Sequence, residues 1–227
     1  PKWGFNDVIF KGNEFKFQRP YGSYVMEQVL FKISYPAEFH SQTAVECAAQ
    51  LHNEVKGRFD EIEKIVLHTQ EPAIRIISKT GPLNNPADRD HCLQYIVAVG
   101  LLEGTLKAEH YEDDYAVNPI IDTLRNKMEV LEGERFTKEY YDPDKRAIGN
   151  AIQVFFKDGS STQKVEMDYP VGHRRRREEG FPLIEAKAEE YLKDHYDAGH
   201  ADKILSMMSD QNYLEDMKLT DFMAALV

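Results

Sequence analysis

Two hydrophobic periods divide this chain. The first third alternates apolar and polar positions in the manner of strands: Val8–Phe10, Glu14–Phe17 after a Lys11-Gly12-Asn13 turn, and Gln28–Ile33, where Val29, Phe31 and Ile33 share a face. A helical period follows from Ser41 to about Lys56, with Val45, Ala48, Leu51, His52 and Val55 as its buried stripe and Gly57 ending it. Glu63–Thr69 returns to strand spacing, and Ala73–Ile77 makes a short amphipathic turn. Asn85, Pro86 and Asp88 then mark the start of a helix predicted to run to Glu103, before Gly104. Asn118–Met128 reads as a helix. Ala151–Lys157 and Lys164–Tyr169 read as a hairpin around Lys157-Asp158-Gly159-Ser160. From Pro182 to the end the pattern is helical again. Without internal repeats or a composition break, the chain reads as one α+β domain, an antiparallel sheet packed with helices.

Composition narrows the function. The 227 residues are 42% hydrophobic and 11% aromatic, enough for a packed core. Thirty-nine acidic residues against 28 basic ones give a net charge of −11, which repels nucleic-acid backbones and anionic membrane surfaces. Neither is expected as a partner, so any anionic ligand must be caught locally. Cys47 and Cys92, the two cysteines, form no C-x-x-C pair; a disulfide framework, a structural zinc site or a cysteine-ligated cluster is not suggested, and no cofactor is expected. The chain has no apolar run near the roughly 20 residues of a membrane span. It starts at Pro1, which reads as a piece of a longer polypeptide.

Candidate chemistry lies in three places. On the predicted helix after Asn85, spacings of three and four residues put Asp88, His91 and Tyr95 on one face, with Arg89 beside them. Lys32 alternates away from its apolar neighbours, and His40 precedes Ser41 at a helix start whose free N–H groups attract a carboxylate. His173 and Arg174 open the densest positive run, His173 to Arg177, suited to a multiply charged anion. Plain alternatives stay open for each: a solvated lysine, a loop histidine bonded to backbone, a core tyrosine, a patch neutralised by Glu178 and Glu179.

Four blocks taken together resemble the MmgE/PrpD family: Arg19 through Glu27, Phe31 through Ala44, Gly81 through Tyr95, and Tyr169 through Arg177. The resemblance implies the family's C-terminal lid domain, without the helical N-terminal domain that shares its active site, and a homodimer as the assembly. On the branch it is most similar to, it implies elimination of water from 2-methylcitrate in propionate catabolism, without an iron–sulfur cluster. A decarboxylase of cis-aconitate in the same family, or a domain that only docks when isolated, are the competing readings. The implied compartment is the bacterial cytoplasm or the fungal mitochondrial matrix. Carried over, Lys32 and Tyr95 fall where the family's lysine and tyrosine approach the substrate and His40 and His91 lie in the same two motifs, which makes these four the catalytic candidates; from the residues themselves, Arg89, Asp88, Ser41, His173 and Arg174 are expected to hold the tricarboxylate.

Overall fold

A computed structural model describes residues 3–16 and 31–227. The Arg19 through Glu27 block and the expected strand positions Phe17 and Gln28–Leu30 lie outside the described residues. The chain divides into two units, residues 1–30 and 31–227.

In the first unit the expected strand at Val8–Phe10 is instead the end of a short helix, α1 (Phe5–Ile9), and Glu14–Lys16 has no regular structure. Alternation misleads here because Phe5, Phe10 and Phe15 gather into an aromatic cluster with ring centroids 5.3 Å apart in each neighbouring pair. The Lys11-Gly12 turn forms as expected, both residues taking positive φ.

In the second unit, helix α2 (Gln42–Val55) is followed by strand β1 (Ile62–Thr69) and helix α3 (Glu71–Ile77). Next come α4 (Pro86–Asp90), α5 (Leu93–Glu103), α6 (Asp113–Ala116) and α7 (Pro119–Arg125). Strand β2 (Met128–Glu132), helix α8 (Glu134–Tyr141) and the hairpin β3 (Asn150–Phe156) and β4 (Val165–Met167) complete the sheet. The C-terminal region is helical: α9 (Arg177–His195), α10 (Ala198–Ser209), α11 (Gln211–Asp216) and α12 (Leu219–Ala225).

Among the described residues the strands form one sheet in the order β2-β1-β3-β4. β1 pairs with β3 antiparallel, Thr69 opposite Asn150, and β3 pairs with β4 in the expected hairpin. The sheet is nonetheless mixed, because β2 lies parallel to β1, Ile65 opposite Met128. The Asn118–Met128 helix therefore ends early, and its last residue opens a strand. Met128 and Val130 pack on the core while Glu129, Leu131 and Glu132 are exposed, the one-sided burial of a short edge strand.

The predicted helix from Pro86 to Glu103 is broken. His91 leaves the helical region and Cys92 is extended (φ −125°, ψ 104°). The break separates two surfaces: α4 carries Asp88, Arg89 and Asp90 at the edge, whereas α5 is apolar on nearly all sides and buried from Leu93 to Leu101. α2 packs against β3, β4 and α5, and α7 against α5. At the α2–α5 crossing a Cβ on Gly100 would stand 2.8 Å from that of Ala48, so only glycine permits this approach. Pro182 lies inside α9 rather than opening it. The turn Arg174–Arg176 and the Arg176–Glu179 ion pair start the helix earlier. No helix among the described residues is long and apolar enough to cross a membrane.

Candidate active site

The tight turn Phe39–Ser41 before α2 gathers the most interactive side chains. Glu38 opens it, its carboxylate accepting from the His40 N–H (2.8 Å) and from the His40 ring Nδ1 (2.7 Å). Burial pushes the Glu38 carboxyl up, but the His40 bonds and the charges of His40 and His91 outweigh it, and it lies below the ordinary carboxylate range. An ionised carboxylate only accepts, so Nδ1 carries a proton toward Glu38, and in the neutral imidazole Nε2 then presents a lone pair. Facing Nε2 at 3.2 Å is the hydroxyl of Tyr140 from α8, whose ring stacks on the imidazole. Burial, Tyr141 and Glu38 raise the Tyr140 pKa, so its hydroxyl keeps its proton and donates to Nε2.

Behind the turn, the Asn150 amide donates to the His40 carbonyl (2.9 Å) and to Thr43 (2.8 Å), tying the turn to the start of β3. Ser41 does not cap α2; it is buried, and its hydroxyl donates to the Glu38 carbonyl at 2.6 Å. Glu38 and Tyr140 stand outside the candidates expected from the sequence. Glu38 carried a signal, a carboxylate two residues from a histidine; Tyr140 lies a hundred positions away and carried none.

The remaining candidates fall elsewhere. Tyr95 is buried in the core, its hydroxyl donating to the His110 carbonyl (2.5 Å), and burial pushes its pKa up to about 12. Arg89, also buried, donates to the Tyr111 carbonyl and to Asp113 at 2.7 Å. Tyr95 and Arg89 line an open pocket of about 420 Å³ with Asn84, Asp122 and Arg125; neither His40 nor Lys32 lines it. Asp88 holds the start of α4, accepting from the Asn84 N–H and lying 3.7 Å from Lys79 Nζ. His91 is exposed beside Asp90 (3.2 Å). The helix break removes the common face expected for Asp88, His91 and Tyr95; His91 instead acts electrostatically on Glu38.

Lys32 is exposed, and its carbonyl accepts from Lys187 of α9 at 3.1 Å. His173 is buried against Tyr169 (ring centroids 4.6 Å), and burial with the neighbouring Arg174 charge drives its pKa down to about 4. Arg174 is exposed and donates to the Asp144 carbonyl, as does Arg175 at 3.2 Å. Arg176 is consumed by structure, bridging Glu46 (2.7 Å) and Glu179.

Residues 35–212 match the MmgE/PrpD C-terminal domain. The chain belongs to the MmgE/PrpD family. It is 56% identical to the mitochondrial 2-methylcitrate dehydratase of Yarrowia lipolytica over 90% of this chain and 40% of that protein. It is 50% identical to the 2-methylcitrate dehydratase of Escherichia coli over 98% of this chain and 47% of the relative, and 52% identical to that of Salmonella typhimurium over 97% and 46%. The chain thus spans less than half the length of the MmgE/PrpD relatives it matches.

Proposed function

We propose that this chain is the C-terminal part of a 2-methylcitrate dehydratase, closing over a tricarboxylate held jointly with a helical N-terminal domain, in a homodimer. The observation that carries the reading is the Glu38–His40–Tyr140 array, in a chain 50–56% identical to proteins of that name.

Elimination of water needs a base for a C–H proton, an acid for the departing hydroxyl, and positive charge for the carboxylates. His40 Nε2 takes the proton from carbon, and its imidazolium is stabilised by Glu38. The Tyr140 hydroxyl protonates the leaving oxygen, and water departs as the carbon–carbon double bond forms. The proton on His40 then returns to the tyrosinate across their 3.2 Å contact, restoring both groups. Lys32 and Arg174, both exposed, hold carboxylates, while Tyr95, Arg89 and Asp88 support the scaffold.

The test is to incubate the protein, joined to its helical half, with 2-methylcitrate and separately with cis-aconitate, and to identify the products. Formation of 2-methyl-cis-aconitate is expected. Release of CO₂ from cis-aconitate without dehydration would replace the reading by the decarboxylase, and inertness toward both would reduce the chain to a docking domain.

A further inference from the structure

We propose that Arg146, presented by the loop between α8 and β3, is a carboxylate anchor of the His40–Tyr140 site. The inference rests on the dehydratase reading for its substrate class, a tricarboxylate, and on the structure for its place.

Three observations converge on this loop. Arg146 takes a left-handed backbone conformation (φ 50°), which costs a side-chain-bearing residue on the order of 1–3 kcal/mol and which glycine would adopt freely. The conformation is enforced from both sides: the Arg146 N–H donates to the Asp142 carbonyl (2.8 Å) and the Ala147 N–H to the Glu139 carbonyl (3.2 Å). Nothing in this backbone conformation calls for an arginine.

Positive charge is concentrated around it. Arg174 and Arg175 both bond the carbonyl of Asp144, two residues before Arg146, so two further guanidinium groups are held on the loop that carries it. Arg58, Arg75, Arg89, Arg125, Arg135 and Arg176 each pair with a carboxylate. Arg146 is exposed and pairs with no described carboxylate, although the chain carries a net charge of −11.

The loop also adjoins the proposed proton-transfer groups. It follows directly on the helix that carries Tyr140, and it precedes Asn150, whose amide holds the His40 carbonyl. The Arg146 charge is felt at the Tyr140 hydroxyl, where it favours the tyrosinate that protonating a leaving group would create. A carboxylate taken by the Arg146 fork would therefore lie beside the pair proposed to move protons.

Arg146→Gly decides the matter, because glycine suits the left-handed backbone and folding is not put at risk. In the protein joined to its helical half, we expect the thermal midpoint to hold or rise. Tricarballylate, a non-reacting tricarboxylate, should bind at least tenfold more weakly, and the 2-methylcitrate KM should rise more than kcat falls. Arg146→Lys should recover part of the binding, and Arg58→Gln, a remote arginine, should change neither readout. Arg146→Gly binding tricarballylate within threefold of wild type overturns the anchor while leaving the dehydratase intact. Wild type that binds tricarballylate tightly but dehydrates nothing overturns the reaction and leaves the anchor to be judged on binding alone. Wild type that binds no tricarboxylate overturns both.

Discussion

The neighbourhoods of His40 and of Tyr95 are assembled from the same materials: a tyrosine, a histidine, a carboxylate and a nearby arginine. Around Tyr95 the polar tips end on backbone, the hydroxyl on the His110 carbonyl and the Arg89 fork partly on the Tyr111 carbonyl. Around His40 they end on one another, Glu38 to His40 to Tyr140. A hydroxyl spent on a buried carbonyl fixes a loop, whereas a neutral histidine held between a carboxylate and a phenol has a defined tautomer and an accepting nitrogen beside a proton donor. The partner of the polar atom, more than the residue type, separates scaffold from chemistry.

His40→Asn breaks the comparison most sharply. Turnover should fall about 10²–10⁴-fold with the thermal midpoint nearly unchanged, since losing an acid–base group has that effect. A loss below tenfold, measured as kcat on 2-methylcitrate, would put His40 on the scaffold side. Next in size is a pH effect that belongs wholly to folding. His173 has its pKa lowered from 6.5 to about 4, so the unfolded chain binds the proton more readily. Its contribution is fully present above pH 6.5 and is lost as pH falls toward 4, on the order of 3 kcal/mol. Urea titrations across that window should show His173→Gln with a flatter pH dependence than wild type.

Tyr95→Phe should cost about 1–3 kcal/mol in urea unfolding, because it strands the His110 carbonyl, while kcat stays within about threefold. A large kcat loss at unchanged stability would return Tyr95 to the chemistry. Lys32→Ala should leave stability within about 0.5 kcal/mol, as exposed positions do. Its 2-methylcitrate KM should rise several-fold, and an unaltered KM would remove Lys32 from the carboxylate set.

Elements whose pattern and punctuation agree were legible in the sequence: α2 with its apolar stripe, β1 with its alternation, and the β3–β4 hairpin around Gly159. The strand β2 was not, because five residues with one apolar edge look like the last turn of the preceding helix. The break at Cys92 was equally hidden: polar α4 and apolar α5 join into one plausible helical period, and only their different burial separates them. The site was half legible. His40 and Glu38 stand in one short stretch, but Tyr140 reaches them through the return of the chain past the sheet, which no local spacing encodes.

The parallel pairing of β2 with β1 sets an order of assembly. The β3–β4 hairpin closes a short loop, whereas β2 can dock only after the helices between it and β1 have been brought round, and such distant pairings form slowly. Just past β2, the Gly133 N–H fastens to the Thr69 carbonyl, and the next element is the helix bearing Tyr140. The phenol that faces His40 is thus carried by the element that follows this distant pairing. On the proposed mechanism, a chain whose β2 edge stands open would hold His40 without the Tyr140 hydroxyl beside it.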